Sequence, residues 1–250
     1  MIRIGTAGWS IPQSQRATFP GEGTHLSRYA RMLPCVEINS SFYRPHRPEV
    51  YRKWATQTPR TFRFSVKLPR QITHDARLRG IRSALVEFLS QACGLGRRLG
   101  PLLVQLPPSL EYESRIANRF FALMRERHAG EIVCEPRHPS WFTDAAESLL
   151  VRFRVARVAA DPALLAAAAR PAGHAAVAYF RLHGSPRMYW SNYEPERLAA
   201  WTRMLRQCEV RSDVWCIFDN TAGNAALDNA LTVNAAVAAR RLRGPASTYP

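Results

Sequence analysis

The chain has 250 residues, 46% of them hydrophobic, and a formal net charge of +16 from 35 Lys and Arg residues against 19 Asp and Glu residues. This length suits one domain with a large core, and no apolar run reaches the ~20 residues of a membrane-spanning helix, which excludes a helical membrane protein. We therefore expect a cytoplasmic protein whose basic charge either attracts phosphates or nucleic acid or forms an arginine-rich solvated surface.

Short apolar runs alternate along the chain with segments of helical spacing or composition. Strands are predicted at residues 2–7, 35–39, 62–67, 102–106, 132–135, 155–160, 177–183 and 214–219. Helices are predicted at residues 25–32, 49–56, 81–98, 114–128, 143–150, 195–207 and 222–241, with a short one between Pro162 and Pro171. This order is typical of βαβ units and a parallel sheet. Eight strands predict a single-domain α/β fold, a (β/α)8 TIM-type barrel over residues 1–243, followed by a frayed tail at residues 244–250.

The alternation of side chains along a strand decides which residues share a face. If Glu37 points into the barrel, Asn39 does too, whereas Val36 and Ile38 face the helices. The same test puts further polar side chains on the inner face at the carboxyl ends of other strands: Lys67, Gln105, Glu135, Arg181, His183 and Asp219. Because barrel enzymes carry their chemistry at this end, the sequence predicts that these residues meet in one site at the mouth of the barrel.

Two interpretations of the charged strand ends stay open. The ions either neutralise one another in a structural network, since an unpaired buried ion costs several kcal/mol, or they form a functional site. Hydrophobic replacement of a buried ion pair is often neutral or stabilising by ~1–4 kcal/mol. Six ionisable groups at one end of the fold therefore favour function over stability.

The loops beyond the strands supply further candidates. Acids close to histidines divide general acid and base roles or hold a divalent metal, and arginines grip phosphate or carboxylate with two donors. The candidate catalytic residues are Glu37, Glu135, His138, His183 and Asp219. The candidate substrate-binding residues are Asn39, Ser41, Tyr43, Lys67, Arg70, His74, Gln105, Arg137, Trp141, Arg181, Gly184, Ser185, Tyr189 and Asn220. No tight ligand motif identifies a metal, so the cofactor is left unknown, with a divalent ion as one candidate.

Two subsets of these residues have specific interpretations. Barrels often hold phosphate in the loops after the seventh and eighth strands, which points to a group on those loops: Arg181, Gly184, Ser185 and Asn220. Tyr43 and Trp141 are suited to stacking on a ring of the substrate, although aromatic side chains at barrel loops also close the packing.

Eight strings at these strand ends and loops resemble those of a known family. They are GTAGW at 5–9, VEINSSFY at 36–43, FSVKLP at 64–69, ITH at 72–74, VQLPP at 104–108, EPRH at 135–138, RLHG at 181–184 and FDNT at 218–221. On these strings the chain resembles the YecE-like family of unknown function, also called domain of unknown function 72, from residue 2 to about residue 239. The resemblance implies a barrel related in shape to the endonuclease IV group and to sugar isomerases. It supplies no established activity.

Three hypotheses of function follow. The first is an enzyme that acts on an anionic, phosphate-bearing substrate at the carboxyl-end mouth of the barrel, with phosphoester hydrolysis as the reaction to test first. The second is a nucleic-acid-binding protein without chemistry, which uses its basic surface. The third is a sugar-phosphate isomerase-like enzyme, or a ligand sensor without activity. The expected partner is thus an anionic small molecule or a nucleic acid, and the oligomeric state is not indicated.

Overall fold

The computed structural model describes residues 1–241, in which strands and helices alternate as the sequence predicts. The strands are β1 (Ile2–Thr6), β2 (Cys35–Ile38), β3 (Arg63–Lys67), β4 (Leu99–Gln105), β5 (Ile132–Glu135), β6 (Val155–Arg157), β7 (Ala159–Asp161), β8 (Ala172–Gly173), β9 (Val177–Leu182) and β10 (Asp213–Phe218). The helices are α1 (His25–Met32), α2 (Ser40–Tyr43), α3 (Pro48–Thr56), α4 (Arg82–Ala92), α5 (Ser114–Arg127), α6 (Asp144–Arg152), α7 (Pro195–Glu209) and α8 (Ala226–Arg241). Short helical turns lie at Gln13–Gln15, Gln71–Asp75, Cys93–Arg98, Pro139–Trp141 and Ala166–Ala169. The predicted tail at residues 244–250 lies outside the described residues.

The strands form two sheets within one α/β domain. One sheet has the order β1-β10-β9-β7, and the other has the order β2-β3-β4-β5-β6-β8. Every pair is parallel except β6 with β8. The predicted parallel α/β architecture is confirmed, but the closed barrel is not: over residues 1–241, hydrogen-bonded pairing divides the strands between two sheets. A parallel bridge between Ala7 and Glu37 links the end of β1 in one sheet to β2 in the other.

The division of the sheets has a local cause in the predicted sixth strand. Residues 155–160 were expected to form one strand, but Val158 interrupts it and leaves β6 paired with β5 and β7 paired with β9. The Val158 amide still donates to the carbonyl of Cys134 at 2.8 Å. One continuous segment of chain therefore belongs to both sheets, and β8, which the sequence does not predict, extends the second sheet as an antiparallel edge.

Two glycines shape the packing of these elements. A Cβ atom at Gly5 would lie 2.2 Å from the carbonyl oxygen of Cys35, so glycine is needed where β1 and β2 approach each other. The predicted helix at 81–98 ends early, because Gly96 adopts a φ of 54° inside the Cys93–Arg98 turn. The helix is α4 alone, followed by a tighter turn that leads into β4.

The core has two parts, which correspond to the two faces of the strands. The inner part contains side chains from both sheets: Cys35, Leu103, Val133, Ala156, Val158, Val177, Tyr179, Trp215 and Ile217. The outer part lies between strands and helices and includes Phe64, Val66, Val104, Phe180 and Phe218. This division confirms the predicted strand parity. Among the described residues, no helix combines the length and the hydrophobicity needed to cross a membrane.

Candidate active site at the carboxyl ends of the strands

A buried arginine joins the two sheets at the carboxyl ends of their strands. Arg181 of β9 donates from Nε and Nη2 to the two carboxylate oxygens of Glu37 at 3.1 and 2.8 Å. Its Nη1 lies 2.6 Å from Oε2 of Glu135, and its Nη2 lies 2.9 Å from Oδ2 of Asp219. We call these four residues the Arg181 cluster. Because its members come from β2, β5, β9 and the end of β10, the cluster exists only where the two sheets meet.

Burial and charge have opposite effects on the Arg181 cluster. Burial favours the neutral form of the guanidinium, but the three carboxylates raise the pKa of Arg181 well above its ordinary value. Burial likewise opposes ionisation of Glu135, yet Arg181 and Arg137 hold the pKa of this carboxyl well below its ordinary range. For Asp219, burial is again outweighed by Arg181 and His183, and the pKa is lowered. Arg181, Glu135 and Asp219 are therefore ionised at neutral pH.

Tyr179 supports the Arg181 cluster from the side of the apolar inner core. Its hydroxyl lies 2.8 Å from Oε2 of Glu37 and 2.8 Å from Oγ of Ser65. Burial, followed by the charge of Glu37, raises the pKa of Tyr179, so the phenol stays protonated and donates to the carboxylate. Glu37 is 0% exposed and both its oxygens are occupied. Both oxygens of Glu37 thus orient Arg181, and the catalytic role expected for Glu37 from the sequence stays a prediction.

A second layer lies on the solvent side of the cluster. Arg137, whose side chain is 22% exposed, donates from Nε to Oε1 of Glu135 at 2.9 Å. His183 lies between two acids, with Nδ1 at 3.0 Å from Oδ2 of Asp219 and Nε2 at 3.4 Å from Oε1 of Glu135. The hydroxyl of Tyr189 is 3.4 Å from Nη1 of Arg137. These residues are all sequence-predicted members of the site, and the structure brings them together.

Lys67 completes this outer layer at the end of β3. Its Nζ lies 4.0 Å from the centre of the Phe42 ring, and the same ring makes an edge contact with His74 at a centroid distance of 4.9 Å. Burial, followed by the charge of Arg181, lowers the pKa of Lys67 to about 8. Burial also lowers the pKa of His74 to about 4, with Lys67, Arg70 and Arg137 as further causes. The potential at this side of the mouth is therefore positive.

The acids of the site do not form a metal centre. Within residues 1–241, no group of three or more His, Cys, Asp or Glu side chains is arranged to hold a metal ion. The carboxylates of Glu37, Glu135 and Asp219 turn instead toward the guanidinium of Arg181, which supplies the positive charge between them. The donor set of the described residues therefore does not fit the divalent ion considered from the sequence.

The phosphate-binding group predicted on the loops after β9 and β10 is not assembled in the structure. Arg181 makes four hydrogen bonds to carboxylates and has no side free for phosphate. Asn220 donates from Nδ2 to Ser191 O at 2.9 Å and to Asn229 Oδ1 at 2.8 Å, so it fixes the loop. The backbone amide of Gly184 donates to the hydroxyl of Tyr193 at 3.0 Å. Ser185 is exposed.

Other predicted residues stabilise the backbone near the site. Ser41 is buried and donates from Oγ to the carbonyl of Lys67 at 2.7 Å, which ties α2 to β3. Asn39 has a buried Oδ1 without a hydrogen-bond partner among the described residues. Gln105 is buried opposite Glu135 in the register of β4 and β5. None of these three residues joins the Arg181 cluster.

Four more of the residues predicted from the sequence also lie outside the Arg181 cluster. His138 accepts the Ser140 amide at 3.3 Å and so caps the turn at Pro139–Trp141. Trp141 is buried and donates from Nε1 to Leu110 O at 2.9 Å. Arg70 forms an exposed ion pair with Asp75, and Tyr43 is 79% exposed. The structure gives His138 and Trp141 local structural contacts rather than contacts with the charged residues of the mouth.

Three side chains that shape the site are not among the residues predicted from the sequence. Tyr179 and Ser65 hold Glu37, and Phe42 covers Lys67. Tyr179 lies two residues before Arg181, and Ser65 lies two residues before Lys67, so strand parity puts both on the inner face and could have identified them. Phe42 had no such signal, because the short helix α2 that presents it was not predicted.

The sequence is similar to those of known proteins. A family model described as a protein of unknown function, DUF72, matches residues 3–248. The chain belongs to the DUF72 family. The UPF0759 protein YecE of Escherichia coli strain K12 is 36% identical over 149 residues, which cover 59% of this chain and 52% of that protein. This match thus spans about half the length of the E. coli relative.

Two further DUF72 comparisons extend over most of the chain. The UPF0759 protein YunF of Bacillus subtilis strain 168 is 24% identical over 266 residues, covering 92% of each protein. A crystal structure of a DUF72 family protein from Thermotoga maritima MSB8 has a TM-score of 0.78 and 22% identity, and it covers 95% of this chain and 99% of that one. One from Enterococcus faecalis V583 has a TM-score of 0.78 and 19% identity over 95% and 96% of the two chains. At these identities the solved structures establish the shared fold.

Proposed function

We propose that the carboxyl-end mouth is the active site of an enzyme that acts on an anionic, phosphate-bearing substrate. The observation that supports this most strongly is the arrangement of charge in two layers. In the inner layer, Arg181 is matched by three carboxylates and closed to solvent. In the outer layer, Arg137 pairs with a carboxylate only through Nε, and Lys67 forms no ion pair among the described residues, so the positive charge of both is available to an anion.

An anion is the natural ligand of this outer layer. Arg137 is held by Glu135 through one side of its guanidinium, from Nε, while Nη1 and Nη2 have only contacts of 3.4 Å, to Tyr189 and His183. A planar guanidinium with two outer nitrogens is suited to a phosphate or carboxylate. Lys67 adds a point charge beside it.

His183 is the residue we assign to proton transfer. Its Nδ1 lies 3.0 Å from Asp219, and this carboxylate fixes the orientation of the imidazole as a buried acid does for a general base. The first reaction to test is phosphoester hydrolysis, in which His183 would take a proton from water. Isomerisation of a sugar phosphate is a second candidate, favoured by the amine of Lys67 in the same outer layer. Both assignments share the anionic substrate.

Phosphate binding tests the proposal without knowledge of the reaction. Inorganic phosphate titrated into the protein by calorimetry should bind the wild type, and Arg137→Gln should weaken it about tenfold or more, because a charge-assisted hydrogen bond contributes about 1.5–3 kcal/mol. Arg115→Gln, a change of an exposed arginine on α5, is the matched control and should bind as the wild type does. Equal binding by both variants would contradict the proposal. A screen of phosphoesters with wild type and Glu135→Gln then tests hydrolysis, with loss of turnover expected in the variant.

Nucleic-acid binding is a second candidate, supported by a different surface. Four arginines line a groove between α4 and α5: Arg79, Arg82, Arg115 and Arg119. Glu113 and Glu126 pair with the first two of them. Within the described residues, Arg115 and Arg119 have no ion pair. If this groove binds nucleic acid, affinity falls steeply with salt and is lost in the double variant Arg115→Glu, Arg119→Glu, while Arg137→Gln has no effect.

A cytoplasmic location stays a prediction.

We further propose that the two sheets are the two parts of one (β/α)8 TIM-type barrel. Three contacts support it: the Ala7–Glu37 bridge between β1 and β2, the Gly8 amide donating to Glu37 O at 2.9 Å, and the β6–β7 segment that pairs with both sheets. The inner core shared by both sheets is also typical of a filled barrel. A crystal structure in which β1 and β2 share no further hydrogen bonds would leave the fold as two sheets.

A further inference from the structure

Lysine is rare in this chain, and its two positions are very different. Only Lys53 and Lys67 occur among the 35 basic residues. Lys53 lies exposed on α3, whereas Lys67 is 8% exposed and ends β3 at the mouth. Arginine occupies every other basic position of the mouth, including Arg70, Arg137 and Arg181. An amine at position 67 can lose its proton near neutral pH, which the guanidinium groups at neighbouring positions cannot do.

The surroundings of Lys67 favour a neutral amine. Among the described residues, its ammonium group has no hydrogen bond or ion pair, and its nearest partner is the face of the Phe42 ring at 4.0 Å. The carboxylates that could neutralise it are already bound by arginines: Glu37 and Asp219 by Arg181, and Glu135 by Arg181 and Arg137. A buried amine without a counter-ion of its own loses its proton easily.

Besides burial, four charged side chains act on the pKa of Lys67. Arg181 opposes its protonation, whereas Glu37, Glu135 and Asp219 favour it, and burial has the largest effect. His74, from the turn after β3, is a neutral imidazole near pH 7, because its pKa is about 4. With the pKa of Lys67 at about 8, roughly a tenth of the lysine is free amine at pH 7, against far less than a hundredth for an ordinary lysine.

We propose that Lys67 is a nucleophile that forms an imine with a phosphate-bearing aldehyde or ketone bound at the mouth. The inference rests on the proposed anion site and narrows its substrates to those with a carbonyl group. Arg137 would hold the phosphate, and the amine on Phe42 would face the carbonyl carbon. This use explains why a lysine is kept where burial makes its charge unfavourable.

The step is balanced without a cofactor. The lone pair of Nζ attacks the carbonyl carbon, a C–N bond forms, and the electron pair of the C=O bond moves to oxygen, which takes the first of the two Nζ protons. The neutral imidazole of His74 accepts a proton from nitrogen and returns it to the hydroxyl group. Water leaves, and a C=N bond remains between the substrate carbon and Lys67. The products are one imine and one water molecule.

Borohydride trapping tests the inference directly. The full-length protein is incubated at pH 7 with D-glyceraldehyde 3-phosphate, reduced with sodium borohydride and digested, and the adducts on Lys67, Lys53 and the N-terminal amine are quantified by mass spectrometry. We expect Lys67 to be labelled about tenfold or more faster than Lys53. Inorganic phosphate should slow the labelling of Lys67, and so should Arg137→Gln. Lys67→Arg should remove this adduct, while Lys53→Arg should leave it unchanged.

Two outcomes overturn the inference, and they differ from failure of the proposed function. Labelling of Lys67 no faster than that of Lys53, in protein that binds phosphate through Arg137, excludes the imine and leaves the anion site standing. Equal labelling of Lys67 by D-glyceraldehyde, which lacks the phosphate, excludes the substrate class. If phosphate does not bind in the calorimetric titration, the proposed function itself fails.

Discussion

The Nη1 atom of Arg181 lies 2.6 Å from Oε2 of Glu135, and both side chains are closed to solvent. Removal of the guanidinium would leave Glu135, Glu37 and Asp219 buried together without a counter-ion. Arg181→Met should therefore lower the free energy of unfolding by about 3–5 kcal/mol, the cost of breaking a buried ion pair on one side. Urea denaturation at pH 7 measures the change. A loss below about 1 kcal/mol would mean that the cluster is not buried as described.

The same ion pairs predict how stability depends on acid. The pKa values of Glu135 and Asp219 are lowered in the folded protein, so their contribution is complete above the unfolded values of 4.5 and 3.8 and is lost as the pH falls through the folded values. Glu135→Gln should remove part of this dependence and flatten the curve of unfolding free energy below pH 4.5. The measurement is urea unfolding at intervals between pH 7 and pH 3. Parallel curves for the wild type and the variant would contradict the assignment.

The buried charge of Lys67 should lower the free energy of unfolding. Its folded pKa of about 8 lies below the ordinary value of 10.5, so the unfavourable charge is fully present below pH 8 and disappears as the pH rises through the unfolded value. Lys67→Met should raise the free energy of unfolding at pH 7 by about 1–3 kcal/mol, and the gain should vanish above about pH 10.5. Lys53→Met on the surface of α3 is the control and should change stability little. A less stable Lys67→Met variant would show that Lys67 has a structural role.

His183→Gln tests the proposed proton transfer once a turnover assay exists. The amide keeps a hydrogen bond to Asp219 but cannot take a proton, so turnover should fall by about a hundredfold or more with little change in phosphate affinity. His174→Gln, at a half-buried position after β8, is the matched control and should retain the wild-type rate. Unchanged turnover in His183→Gln would assign the base to another residue.

Much of the site was predictable because strand parity is a short-range property. Once Glu37, Lys67, Glu135, Arg181 and Asp219 end their strands on one face, parallel pairing brings together the residues of each sheet, and the contact between the two sheets joins the two groups. The parity prediction needed neither the closed barrel nor the correct end of each helix. It therefore holds even though the sixth strand is divided at Val158 and β8 was not expected.

The pairing of individual charges could not be predicted in the same way. The sequence gives three acids and three basic residues at the mouth, but which cation lies deepest depends on side-chain length and three-dimensional spacing. Arg181 pairs with all three carboxylates, which leaves Arg137 to share Glu135, and Lys67 without an ion pair among the described residues. For the same reason, the sequence does not reveal that His138 contacts Ser140 or that Asn220 donates to Ser191 and Asn229.

The most direct test of an anion-binding mouth is a crystal structure of the protein soaked with tungstate, a phosphate-shaped anion located by its anomalous scattering. The ion should lie against the outer nitrogens of Arg137 and within reach of Lys67 Nζ, and it should be absent in Arg137→Gln crystals. Tungstate bound only in the groove of Arg115 and Arg119, with the mouth empty, would contradict the proposed active site.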